Sequence, residues 1–74
     1  MIRSIMKTER ERMSVRYAEL KRQMRGIKCY VVREGANHEL WYSPITGKIF
    51  PVSRHDGQEI PAGTLKSIKR DAGL

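Results

Sequence analysis

The sequence predicts an α+β domain of order α-β-β-β-α, a three-stranded antiparallel sheet with two helices packed on one face. Three observations carry that expectation. Apolar residues recur at helical spacing in two segments, before and after the middle of the chain. Three short runs rich in β-branched and aromatic residues lie between them, and only brief turn segments separate those runs. A chain of 74 residues has room for one thin core, because a domain this small buries only about 60% of the surface its unfolded form exposes. Two layers suit such a core, and any chemistry must then occur on an open surface.

The first helix is expected over residues 14–25. Tyr17, Leu20, Met24 and Ile27 fall at i, i+3, i+7 and i+10, one face of a 3.6-residue period. Ser14 is a plausible N-cap, and Gly26 is the expected stop. Lys28 to Glu34 reads as the first strand, His38 to Tyr42 as the second and Lys48 to Val52 as the third. Gly35-Ala36-Asn37 forms the first turn, because Gly and Asn accept positive φ cheaply. Ser43 to Gly47 forms the second turn, and the two together give a meander. Pro51 cannot donate to a ladder, which puts the third strand at an edge. Ser53 to Ile60 is polar and loop-like. Pro61 suits the first turn of a closing helix, whose apolar stripe is Leu65, Ile68 and Ala72, and Gly73 ends it. The domain is therefore expected over residues 14–74. Residues 1–13 form a charge-dense N-terminal extension, read as a prolongation of the helix, a mobile arm, or the product of a start upstream of Met13.

Fifteen Lys+Arg against eight Asp+Glu give a formal net charge of +7. Such an excess favours polyanionic partners, because each cation near a phosphate displaces a condensed counterion. Basic composition for solubility alone is the ordinary alternative. The single cysteine, Cys29, excludes an internal disulfide and a thiolate metal cluster. Its apolar surroundings, Tyr30-Val31-Val32, make it a small buried hydrophobe and a poor nucleophile. No apolar run approaches the roughly 20 residues that span a bilayer. No secretory signal is evident at the N-terminus, so the expected compartment is the cytoplasm. There is no phosphate-binding glycine loop or dinucleotide fingerprint, and no cofactor is expected.

Two histidines are the candidates for proton transfer. His38 opens the second strand directly after a turn that would project its ring at the sheet end. An imidazole with an ordinary pKa of about 6.5 both accepts and donates protons near neutral pH. RNA cleavage through the 2′-hydroxyl needs such a group. On spacing alone, a surface histidine that caps a strand or bonds the turn is the simpler reading. His55 lies in Ser53-Arg54-His55-Asp56 and could orient a phosphate, assist catalysis or bond Asp56 within the loop, and the loop role is favoured. Two separated histidines and one cysteine are a poor ligand supply for a metal.

Lys66, Lys69 and Arg70 at i, i+3 and i+4 share one flank of the last helix. Such a flank can lie across duplex RNA phosphates, or it is simply a solvated polar face. Arg33, Lys48 and Arg54 are placed to extend the patch. Trp41 and Tyr42 alternate across their strand, so one belongs to the core and the other is a candidate for stacking or partner binding. Neither helix pairs a large exposed apolar face with its basic one, which disfavours a membrane surface.

Three motifs resemble those of the HicA-type (YcfA-like) toxins. Arg33-Glu34-Gly35-Ala36-Asn37-His38-Glu39-Leu40-Trp41 is similar to their first hairpin, a glycine-containing turn followed by histidine. Phe50-Pro51-Val52-Ser53-Arg54-His55 is similar to their valine-proline-x-histidine strand end. Pro61 to Ile68 and Ala72-Gly73-Leu74 are similar to their closing helix. The resemblance covers residues 14–74. It implies a double-stranded-RNA-binding-domain-like fold and the toxin role in a type II toxin–antitoxin system. It further implies metal-independent, ribosome-independent mRNA cleavage and a HicB-type antitoxin that covers the active face. The histidine after the turn is the family's catalytic residue and corresponds to His38. Arg33, Asn37, Lys48, Arg54, His55, Lys66, Lys69 and Arg70 are the expected RNA contacts. A non-catalytic RNA-binding module of the same fold is the alternative.

Two departures stand out. Many members have Gly-Ser-His at the turn, where Asn37 precedes His38 here, and proline often stands in place of Ser53. Glu39, directly after His38, is placed to alter the imidazole's pKa or its RNA preference. The nuclease expectation needs an exposed ring beside positive charge. With that ring buried, or on the side away from the cationic helix, the expectation fails.

Overall fold

A computed structural model describes residues 15–74 of the protein. The expected extension over residues 1–13 and the N-cap assigned to Ser14 lie outside the described residues. The elements are α1 (Tyr17–Gly26), β1 (Tyr30–Glu34), β2 (His38–Tyr42), β3 (Ile49–Ser53) and α2 (Ala62–Ala72), in the expected order α-β-β-β-α. The three strands form one antiparallel sheet in the order β1-β2-β3. Pro51 therefore stands on an edge strand, where its missing N–H breaks no central ladder.

The core lies between the sheet and the helices. Tyr17, Leu20 and Met24 of α1 and Ile68 and Ala72 of α2 pack with Trp41, Phe50 and Val52 of the sheet. Cys29 and Ile60 complete the buried cluster, with Val31 and Leu65 partly buried against it. Trp41 is the large central side chain, 0% exposed. Its partners across the sheet, Val31 and Phe50, share its face, so the helical layer covers that side.

Both ends of α1 differ from the sequence expectation. No side chain caps its N-terminus at Arg16. The first free N–H groups, which always need partners, are instead satisfied by the 53–60 loop: Tyr17 N donates to Gln58 O (3.1 Å) and Ala18 N to Asp56 O (3.0 Å). Nearby, Ile60 N donates to Val15 O at 2.9 Å. At the other end Gly26 is the last helical residue, and the left-handed residue is Lys28, φ 76°. The following strand accordingly starts at Tyr30 rather than Lys28. Gly73 does close α2 in the left-handed conformation, φ 88°, with its N–H on Lys69 O at 2.9 Å.

The second turn is fastened to the end of α2. Ser43 is fully buried and its hydroxyl donates to Ala72 O at 2.6 Å, while Thr46 Oγ1 donates to Asp71 O at 2.5 Å. These bonds satisfy terminal carbonyls that have no partner within the helix. A Cβ added at Gly73 would lie 2.7 Å from Ile45 Cγ2, so the turn and the helix end need glycine for contact as well as conformation.

Among the described residues Lys21 is the charged side chain in the interior, where the Ser43 hydroxyl is also buried. Only 3% of its side chain is exposed, yet its ammonium lies 3.0 Å from Glu39 Oε1 on β2 and 2.5 Å from Asp56 Oδ1 in the 53–60 loop. Trp41 Nε1 donates to the same Glu39 oxygen at 2.9 Å. Burial pushes the Glu39 pKa up, but the hydrogen bonds from Lys21 and Trp41 and the Lys21 charge outweigh it and hold the carboxyl below its ordinary value.

Lys21→Met removes the cation and leaves Glu39 partly buried without a counter-charge. It is expected to cost about 3 kcal/mol at neutral pH in urea titrations, and Lys21→Met with Glu39→Gln should recover most of that loss. Because the folded Glu39 pKa is depressed, its stabilising contribution is complete above the unfolded value and disappears as pH falls through the folded one. Wild-type stability should therefore drop below the ordinary carboxylate range, and Glu39→Gln should flatten that part of the profile.

Candidate functional site

Strand alternation divides β2 between two environments. Glu39 and Trp41 point to the helical layer, so His38, Leu40 and Tyr42 belong to the opposite, uncovered face. Register extends that face across the sheet in three rows. They are Tyr30–Tyr42–Ile49, Arg33–Leu40–Pro51 and His38–Ser53. A register shift between Val31 and Arg33 turns Arg33 into line with Leu40 rather than Trp41.

His38 is exposed, at the end of β2 beside the first turn. Arg33, Gly35, Ala36, Asn37, His38 and Leu40 line one shallow hollow. The turn is built without positive φ at Gly35 or Asn37, contrary to the expectation; among the described residues only Lys28, Gly47 and Gly73 have it. Gly35 serves close approach instead. Its N–H donates to His38 O at 2.8 Å, and an added Cβ would sit 3.2 Å from that oxygen.

Arg54, the residue after β3, braces the turn. Its backbone N–H donates to Asn37 O (3.1 Å) and its guanidinium to Gly35 O (2.6 Å), with Glu34 at 4.0 Å. Arg33, Asn37, His38 and Arg54 are thus brought together. His55 is exposed, and its backbone is held by Ser53 Oγ and by Gln58 N. Asp56 turns to Lys21 rather than to His55.

The remaining expected contacts lie elsewhere. Lys66, Lys69 and Arg70 are on α2, in the helical layer, whereas His38 is on the face that the helices leave open. Of the two conditions set for a nuclease, the ring's exposure is met and its placement on the side of the cationic helix is not, so the expectation fails in the form that docks RNA on the α2 cations beside the ring. The cation that lines the hollow with the ring is Arg33, while the Arg54 guanidinium is held at Gly35 O and near Glu34. Lys48 follows the second turn, and it and Arg70 both approach Asp71, at 3.8 and 3.7 Å. Glu39 is also corrected, since its carboxylate is engaged with Lys21 on the other side of the strand. Lys21 had no signal in the sequence, where it reads as one of many polar residues on α1. Among the described residues there is no group of three metal-ligating side chains, and no helix is long and apolar enough to cross a membrane.

A three-stranded meander covered on one face by two helices, in this order, defines a domain of the double-stranded-RNA-binding type of fold. The family model described as "HicA toxin of bacterial toxin-antitoxin" matches residues 17–74. The chain belongs to this HicA toxin family, and it is the toxin of a toxin–antitoxin system. No curated protein and no solved structure gave a significant match.

Arg54→Ala should change global stability by less than about 1 kcal/mol, because exposed charged contacts contribute little. Amide exchange at Gly35 should nonetheless quicken relative to the β2 core, since the guanidinium bond to Gly35 O is lost while the backbone bond from Arg54 to Asn37 O remains.

Proposed function

We propose that this toxin is an mRNA endoribonuclease that works without metal or ribosome, acts in the cytoplasm, and is neutralised by a HicB-type antitoxin covering the His38 face. The observation that supports it most is an exposed imidazole at the mouth of a hollow also lined by Arg33 and Asn37. His38 transfers the proton, either taking it from the attacking 2′-hydroxyl or giving it to the departing 5′-oxygen. Arg33 and Arg54 hold the phosphate, and Asn37 offers its amide to the nucleotide. With a single acid–base group the rate enhancement from proton transfer is about 10²–10⁴-fold, which suits a slow enzyme with abundant substrate. Lys66, Lys69 and Arg70 act at longer range by drawing the polyanion in, and Lys48 and His55 belong to the same outer set.

A second reading is favoured by the separation of His38 from the α2 cations. The domain would then bind structured RNA along α2 without cutting it. Incubation of the purified full-length protein with total RNA in EDTA separates the two. Fragmentation by wild type, and its loss in a His38→Ala protein with an unchanged circular dichroism spectrum, is the expected result. A folded His38→Ala protein that cuts at the wild-type rate would remove the histidine from the mechanism. Intact RNA with a salt-sensitive mobility shift would favour the binding module.

A further inference from the structure

Among the described residues no element covers the sheet face opposite the helices, and the Tyr30 end of that face is aromatic and apolar. Tyr30 is 53% exposed and Ile49 59%, while Tyr42 between them is only partly covered. The two tyrosine rings stand 5.4 Å apart and tilted by 52°. Along β2 the same face runs through Leu40 to His38, with Arg33 in the intervening row. The eight side chains of these three rows include no carboxylate, although the chain as a whole has eight Asp+Glu. An aromatic surface free of negative charge, bordered by arginine and leading to a candidate proton-transfer group, matches one ligand chemistry well: unpaired nucleotides, whose bases stack and whose phosphates seek cations.

We infer that the open sheet face binds single-stranded RNA, with Tyr30 and Tyr42 stacking a base and Arg33 meeting the backbone between that base and the bond presented to His38. The inference rests on the nuclease reading only for the role of His38; binding at Tyr30 stands or falls separately. His38 and Tyr42 are four residues apart on one strand, about 13 Å at roughly 3.3 Å per residue, so the stacked base flanks the cleaved bond. A duplex cannot use this face, because its bases are already stacked on one another and show only edges. The substrate class is therefore unpaired RNA, in loops or extended message, despite a fold whose type is named for duplex binding.

The test uses the full-length His38→Ala protein, which isolates binding from cleavage, and a fluorescein-labelled oligoribonucleotide, either alone or annealed to its complement. Anisotropy at fixed moderate salt should show tighter binding of the single strand than of the duplex. Adding Tyr30→Ala should weaken single-strand binding by roughly ten-fold or more, the loss of about one base stack. Tyr30→Phe, which keeps the ring, should stay within about two-fold of the parent, a rescue that mere structural damage would not give. Circular dichroism confirms folding of each variant, and the exposed position of Tyr30 favours this outcome. Equal affinity for duplex and single strand overturns the inference, as does a folded Tyr30→Ala protein that binds as well as its parent. If Tyr30→Ala spares RNA binding but weakens capture of the antitoxin, the face belongs to a protein partner and the inference also fails. If wild type does not cut RNA yet the tyrosine effect appears, the cleavage reading fails and this one survives.

Discussion

Burial of the Lys21 ammonium constrains the whole arrangement. A charge taken out of water is tolerated only when its partners are close and fixed, and here they come from two other parts of the chain. Glu39 comes from the middle of the sheet and Asp56 from the long loop. One side chain thus joins α1, β2 and the loop that leads into α2. The same loop supplies the carbonyls that receive the first N–H groups of α1. Loss of the lysine would strip a counter-charge from Glu39 and loosen the capping loop together.

The constraint on Glu39 also shapes the candidate site. Its carboxylate must point inward to reach Lys21 and Trp41, and strand alternation then turns His38 outward. The position of the imidazole on the uncovered face is in this sense fixed by a salt bridge on the other side of the strand. The turn before it is held by short backbone contacts and by Arg54 rather than by unusual dihedrals. A proton-transfer group needs such a stable base, because small displacements of a reacting group cost much of its effect.

The two faces of this toxin divide its charge and its apolar surface. The helical layer carries Lys66, Lys69 and Arg70, partly balanced by Asp71. The open sheet face carries tyrosines, Leu40, Ile49 and Arg33, ending at His38. Long-range attraction of a polyanion and close contact with individual nucleotides place different demands on a surface. Attraction needs net charge, while contact needs flat apolar rings with few cations. A domain with so little interior can meet both demands only by using its two sides differently.

Sequence alone determined the element order, the edge position of Pro51, the buried role of Cys29 and the apolar stripes of both helices, but not which of Trp41 and Tyr42 is buried. It did so because periodicity and turn chemistry are local properties, readable within a few residues. The motif resemblance over residues 14–74 likewise pointed to the toxin family that the match over residues 17–74 shows. Tertiary structure decided the rest. Lys21 looks like any solvated lysine until Glu39 and Asp56 are brought to it from 18 and 35 residues away. The left-handed residue after α1 is Lys28 rather than Gly26, and α1 is capped by a distant loop instead of by a neighbouring side chain. The separation of His38 from the α2 cations was equally hidden. Spacing along a chain says which residues share a face of one element, but only packing of the elements says which faces meet.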